Sequence, residues 1–259
     1  MHVFLLWSGG LDSTALLYAN LKLGHRVTTL EYVEAVDPTH EQSFLDSVNV
    51  KIKREIQARS KIAECLREEF PKSAWIRVSV PCPVLTNLHN VRFWLQPATH
   101  LYNAALRLCH EDVVQLGYVP GDSVCETFDS NPKPNMDYLY QIWDAYLRTT
   151  RSHDHPVPIR VPFLDPEDHP EIVGIVGNTK TEFTNRLPDY ILDNFYCCES
   201  AEEHPDTRWC GSCVPCRTMF RAIHCYTEEE LNDYVEEHNI ETTQGLKEFI
   251  KEGLESWRK

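Results

Sequence analysis

Six residues near the start of the chain, Ser8-Gly9-Gly10-Leu11-Asp12-Ser13, constrain its fold more than any other segment. They follow an apolar run, Val3 to Trp7, and precede Thr14-Ala-Leu-Leu-Tyr, which has the pattern of a helix. This order predicts a buried strand, a tight loop and a helix. Two adjacent glycines allow backbone N–H groups to converge on one point, and the helix N-terminus adds its partial positive charge there. The loop therefore has the properties of an anion site.

The polar side chains of this loop suit a magnesium nucleotide. Ser8 and Ser13 can donate hydroxyl hydrogen bonds to phosphate oxygens. Asp12 would repel a phosphate, so we interpret it as a helix-start residue, a Mg²⁺ ligand, or both. The segment lacks the glycine and lysine spacing of the G-x-x-x-x-G-K-[ST] loop of many ATPases. The competing interpretation is a glycine turn before a well-capped helix, with no nucleotide.

Strand and helix patterns alternate along the first half of the chain. The predicted strands are Val3–Trp7, Arg26–Tyr32, Trp75–Val80 and Val113–Gly117, and the predicted helices lie at about Asp12–Leu23, Phe44–Phe70, Val91–Cys109 and Met136–Arg148. This alternation predicts an α/β fold with a doubly wound parallel sheet that binds ligands beyond its carboxyl strand ends. Residues 153–169 are interpreted as a loop beside the site or a solvated connector. We expect a nucleotide-binding domain over residues 1–190 and a small metal-binding helical lobe over residues 191–259.

Composition excludes several classes of protein. Of the 259 residues, 42% are apolar and 25% are charged, as in soluble globular domains. No apolar run can span a bilayer and no secretion signal is recognisable, so we expect a cytoplasmic protein without a membrane partner. The net charge of −14 argues against a broad basic face for duplex DNA or tRNA. A basic stretch is interpreted as the solvated face of a long helix; it comprises Lys51, Lys53, Arg54, Arg59 and Lys61.

A cysteine cluster near the C-terminus predicts a metal site. Ten cysteines in a chain of this kind indicate metal or redox chemistry before a disulfide framework. Cys210, Cys213 and Cys216 stand at intervals of three, and Cys197 and Cys198 precede them. Four thiolates satisfy Zn²⁺ completely, which makes such a site structural; an iron–sulfur cluster is the alternative. We predict Cys198 as the fourth ligand in preference to Cys197.

Both motifs resemble those of known families. The Ser8–Ser13 segment resembles the pyrophosphate loop S-G-G-x-D-S of the ATP pyrophosphatases, which cleave ATP between its α- and β-phosphates. Together with the C-G-x-C-x-x-C pattern of residues 210–216, it makes the chain resemble the 7-cyano-7-deazaguanine synthase family. The segment from Leu116 to Asp122 is similar to that family's middle motif, a strand ending in glycine with an aspartate soon after. The resemblance implies that Gly117 and Asp122 lie at the ATP site, with Asp122 holding the ribose or a second Mg²⁺, or else serving only the turn.

The chain departs from this family where the substrate would be recognised. The family segments Y-G-Q-R-H and P-x-R-N are absent, and Glu31-Tyr32-Val33-Glu34-Ala35 stands in place of the first. The family's site lysine corresponds either to Lys180 or to a position taken here by His169, and Lys180 can equally be a surface lysine. The resemblance therefore covers the fold, the ATP loop and the metal site, and implies a divergent relative.

The resemblance implies an ATP-dependent carbon–nitrogen ligase with ATP, Mg²⁺ and Zn²⁺ as cofactors. A carboxylate such as 7-carboxy-7-deazaguanine would attack the α-phosphate, pyrophosphate would leave, and ammonia or another amine, even that of a protein, would take the acyl group. Ser8, Asp12, Ser13 and Lys180 would act in catalysis, and Gly9, Gly10 and Leu11 would complete the loop. A homodimer through the acidic tail is expected, and a nucleic-acid partner is not. The alternatives are a tRNA-modifying ATP pyrophosphatase and a metal-stapled, non-catalytic interaction protein.

Overall fold

The computed structural model of the chain describes residues 1–35, 42–83, 92–108, 112–120, 133–150, 157–198 and 209–224, together with residues 245, 248, 250, 252 and 253. The strands in these ranges are β1 (His2–Leu6), β2 (Arg26–Ala35), β3 (Trp75–Pro83), β4 (Val113–Gln115) and β5 (Ile159–Arg160). The longer helices are α1 (Leu11–Lys22), α2 (Gln42–Glu69), α3 (Arg92–Arg107), α4 (Lys133–Thr150) and α8 (Val214–His224). The short helices are α5 (Pro170–Val176), α6 (Lys180–Arg186) and α7 (Asp189–Leu192).

All five described strands pair in parallel in the order β3-β2-β1-β4-β5. Strand β1 lies at the centre, with His2–Leu6 opposite Arg26–Leu30 on one side and Val3–Leu5 opposite Val113–Gln115 on the other. The prediction of an α/β fold with a parallel sheet is confirmed. The interpretation of residues 153–169 as a loop is wrong at β5, where two residues extend the sheet; so short a strand has no periodic pattern in the sequence.

Helices cover both faces of this sheet. Successive side chains of β1 point to opposite faces of the sheet. Val3 and Leu5 lie in one apolar core with residues of α1 and α2, whereas Phe4 lies in the other with residues of α3 and α4. A strand buried on both faces needs a continuous apolar run, which is what this part of the sequence contains. Among the described residues, no helix has the length and apolar character needed to cross a membrane.

The strand order places the glycine-containing loop where the sheet order reverses. The chain runs from β1 outward to β3, then returns to place β4 on the other side of β1, so the order reverses between β1 and β4. Parallel sheets bind ligands at the carboxyl ends of the strands at such a reversal. The Ser8–Ser13 loop follows β1 there, and Gly117 follows β4. A Cβ on Gly117 would lie 3.0 Å from the backbone N and Cα of Ser13, so only glycine permits this approach.

The C-terminal segment packs into the same apolar core as helix α1. Its contributors to this core include Phe195, Tyr196, Trp209 and Phe220. The backbone N–H of Tyr196 donates to the carbonyl of Gly9 over 3.3 Å, which attaches the segment directly to the glycine loop. The division at residues 190 and 191 stays a prediction. The sequence also predicts two amphipathic helices in the tail, at about Thr227–Glu237 and Thr243–Trp257. The first lies outside the described residues, as does most of the second.

Candidate nucleotide loop and metal centre

The glycine loop brings two serine hydroxyls to the start of helix α1. Gly9 has a φ of 86°, which favours glycine, and the Oγ atoms of Ser8 and Ser13 lie 3.1 Å apart. The backbone N–H of Gly10 donates to Ser8 Oγ over 3.2 Å, which holds the loop in a tight curve. Helix α1 begins at Leu11, and its N-cap residue, Gly10, supplies no side-chain cap. The first-turn N–H groups and both hydroxyls therefore meet at the carboxyl end of β1.

Asp12 lies in the first turn of α1. Its Oδ2 lies 2.7 Å from the Nζ of Lys180, and the two side chains are 22% and 15% exposed. The structure thus places a carboxylate and an ammonium at the same helix end as the two hydroxyls. This group has the charges needed for a metal-bound phosphate: an oxygen ligand for Mg²⁺ and a cation for phosphate oxygens.

A capping box positions Lys180 as the first residue of α6. The hydroxyl of Thr179 accepts from the backbone N–H of Glu182 over 3.2 Å, and the Glu182 carboxylate accepts from the N–H of Asn178 over 2.9 Å. The hydrogen bond from Asn178 is the largest cause that lowers the pKa of Glu182. His169, by contrast, occupies the N-cap position of α5, and its Nδ1 lies 3.7 Å from the carboxylate of Glu171. The structure brings Lys180 to the loop.

A buried arginine on α2 also contacts the loop, and we did not predict it from the sequence. Arg59 is only 2% exposed, and its Nη1 donates to the Ser8 carbonyl over 2.8 Å. The interpretation of Arg59 as part of a solvated basic face is therefore wrong. A signal was present, because Arg59 occupies the same helical stripe as the buried residues Ile62 and Leu66, three and seven positions later.

Glu31 on β2 links Arg59 to a second arginine. The Glu31 carboxylate lies 3.6 Å from Arg59 Nε, and it also accepts two hydrogen bonds from Arg77 on β3, one of them 2.8 Å long. The Arg77 guanidinium lies 5.3 Å from the ring centroid of Trp7, the residue before the loop. Two arginines thus share one buried carboxylate beside the loop.

Four cysteine sulfurs converge at the second site. The Sγ atoms of Cys198, Cys210, Cys213 and Cys216 all lie within 4.8 Å of one another, and those of Cys210 and Cys216 are 3.9 Å apart. A tetrahedral zinc site with Zn–S bonds of about 2.3 Å separates its sulfurs by about 3.8 Å. The spacing fits one tetrahedral ion, whereas a cluster of several irons needs a wider cage. The fourth sulfur belongs to Cys198.

Two backbone N–H groups of a tight turn point at one sulfur of this centre. Gly211 has a φ of 74°, and the turn that it permits directs the N–H groups of Ser212 and Cys213 at Cys210 Sγ, over 3.4 and 3.3 Å. Hydrogen bonding with the Cys213 thiol raises the pKa of Cys198 to about 12. Thiols this close cannot all ionise beside one another, so a bound cation is what would make the four thiolates compatible.

The remaining predicted site residues divide into two groups. Gly117 lies against the start of α1 as described above, whereas Asp122 falls outside the described residues.

Compared with known proteins, the chain matches no protein-family model and shows no significant sequence similarity to a curated protein.

Proposed function

We propose that this protein is an ATP pyrophosphatase with the doubly wound pyrophosphate-loop fold, which activates a carboxylate as its adenylate and releases pyrophosphate. One observation supports this above all others. The start of α1, two serine hydroxyls, Asp12 and Lys180 meet at the point where the strand order reverses. A helix end of this kind attracts anions, and the nearby carboxylate suits the metal that accompanies ATP.

Each loop residue has a role in this reaction. Negative charge grows on the departing pyrophosphate, where the backbone N–H groups of the loop and the hydroxyls of Ser8 and Ser13 would stabilise it. Asp12 would hold Mg²⁺ and Lys180 would neutralise phosphate oxygens. Adenylation makes the carboxylate reactive because AMP replaces a poor leaving group, and an amine can then attack the acyl carbon.

The proposed carboxylate is a 7-deazaguanine acid, and the amine is ammonia or a larger amine. What supports this choice is the resemblance described above, together with the attachment of the four-cysteine segment to the loop through Tyr196 and Gly9. Attack by ammonia would give an amide, which a second ATP can dehydrate to a nitrile. The metal has a structural role in this proposal, because four thiolates leave no open position on zinc.

Removing the loop's polar groups tests the proposed role of the site. We expect the double variant Ser8→Ala/Asp12→Ala to release pyrophosphate about 100-fold or more slowly. Removing one hydrogen-bond donor to a charge that develops in the transition state alone lowers kcat by about 100-fold. The matched control is Ser60→Ala, at an exposed position on α2, which should retain full activity. Full activity in the double variant would contradict the mechanism.

Retardation of bulk tRNA in a gel at physiological salt would instead favour the tRNA-modifying alternative.

A further inference from the structure

We infer that Arg59 is a positioning residue for the nucleotide loop, holding it from the α2 side in the shape that accepts phosphate. The inference rests on the proposed function, because the phosphate in question is that of ATP. It concerns a residue outside the loop motif, on a helix 46 positions further along the chain than the end of the loop at Ser13.

One side chain fixes two successive residues of the loop. Arg59 Nη1 binds the Ser8 carbonyl over 2.8 Å, and a Cβ on Gly9 would lie 2.6 Å from Arg59 Cγ. In a trans peptide the C=O and the following N–H point in opposite directions. Because the Ser8 carbonyl is directed at Arg59 on α2, the N–H of Gly9 points away from that helix. Arg59 therefore sets the orientation of a peptide group that a phosphate can use.

The surrounding charges make this arrangement stable and leave it cationic. Arg59 and Glu31 are almost fully buried, with their side chains 3% and 4% exposed, so an unpaired charge there would be costly. Glu31 is shared with Arg77, whose guanidinium also packs over Trp7. These three side chains together carry one net positive charge beside the loop. At low dielectric this charge adds to the attraction that the helix end exerts on an anion.

The test compares Arg59→Met with Arg59→Lys, measured as the dissociation constant for Mg·ATP by calorimetry and as the KM and kcat for pyrophosphate release. Methionine keeps the stem against Gly9 but loses the donor and the charge. We expect the dissociation constant of Arg59→Met for Mg·ATP to rise about ten-fold. This corresponds to the weakest hydrogen bonds that involve a charged group. Lysine keeps the charge and one donor, so it should restore part of the affinity.

Tyr18→Phe is the matched control. It removes the hydrogen bond between Tyr18 and Glu69 at the opposite end of α1, which lowers stability without touching the loop. We expect Mg·ATP affinity to be unchanged in this variant. A loss of affinity as large as that of Arg59→Met would show that affinity simply follows stability, and would overturn the inference.

Two further outcomes separate the inference from the proposed function. If wild-type protein binds Mg·ATP and Arg59→Met binds it equally well, the inference fails while the proposed function stands. If wild-type protein does not bind Mg·ATP at all, the proposed function fails and the inference fails with it. Where Arg59→Met does not fold, Arg59→Lys decides: a several-fold weaker affinity supports the inference, and wild-type affinity overturns it.

Discussion

Replacing Gly117 by alanine tests whether the segment after β4 and the start of α1 form one close-fitting site. The added Cβ would lie 3.0 Å from the N and Cα of Ser13 and 3.1 Å from the carbonyl carbon of Asp12. Carbon atoms in contact normally lie about 3.5–4.0 Å apart. All three neighbours are backbone atoms, so no side-chain rotation relieves the clash. Either the start of α1 or the segment after β4 must move by about half an ångström.

The size of the effect follows from this displacement. Forcing an extra methyl group into a packed region costs about 1–3 kcal/mol of stability. Because Ser13 and Asp12 move with the helix start, pyrophosphate release should suffer as well. A catalytic group misplaced by about 1 Å can lower the rate about 100-fold. A displacement of about half an ångström therefore predicts a loss of about ten-fold in kcat/KM.

Urea unfolding and the kinetics of pyrophosphate release measure the two effects of Gly117→Ala separately. Gly174→Ala is the matched control, because a Cβ at that position in α5 meets nothing within 4 Å. That variant should gain about 0.5–1 kcal/mol, since alanine is preferred over glycine inside a helix, and should keep its activity. If Gly117→Ala retained wild-type stability and wild-type kcat/KM, the close approach described here would be refuted.

Three further predictions concern the metal, the lysine and acid pH. Cys213→Ser or chelation should release one zinc per chain, as measured by elemental analysis. It should also weaken Mg·ATP binding several-fold in calorimetry, because the segment that carries Cys198 is attached to the glycine loop by the hydrogen bond from Tyr196 to Gly9. Unchanged affinity in folded, metal-free protein would show that the metal centre does not support the loop. Lys180→Ala should lower kcat/KM for ATP about ten-fold through loss of a cation, with partial recovery in Lys180→Arg, and equal activity in all three proteins would argue against its role. The hydrogen bond from the Asn178 N–H lowers the pKa of Glu182 in the folded protein below its ordinary value of 4.5. The ionised Glu182 carboxylate therefore stabilises the fold fully above pH 4.5, and this stabilisation is lost as the pH falls through the lowered pKa. The urea midpoint of wild type should therefore exceed that of Glu182→Gln at pH 7, and the two midpoints should converge in acid. A difference that stays constant with pH would show that the Glu182 charge does not stabilise the fold.

The features that could be predicted from the sequence depend on local patterns. Apolar runs such as Val3–Trp7 mark strands buried on both faces, and the observed strand His2–Leu6 differs by one residue at each end. The convergence of Cys210, Cys213 and Cys216 follows from their spacing in one turn and the start of one helix. In each case the residues involved are close neighbours in the chain.

The features that could not be predicted depend on contacts between distant segments. Lys180 and Asp12 are 168 positions apart, and only the packing of α6 against α1 shows that they meet. The capping box of Thr179 and Glu182 was readable and would have placed Lys180 at a helix start. Arg59 was assigned to the surface because its neighbours are charged, although its position on the apolar stripe of α2 indicated burial. Strand β5 is too short to have a pattern.

The most direct test of the central claim is pyrophosphate release from Mg·ATP, measured with and without 7-carboxy-7-deazaguanine and ammonium, with mass spectrometry of the products. We expect release that depends on the acid, with one pyrophosphate for each amide formed or two for each nitrile formed. Capture of the adenylate by another amine would change only the acceptor. Release that is independent of the acid, or no release at all, would contradict the claim that this protein activates a 7-deazaguanine acid as its adenylate.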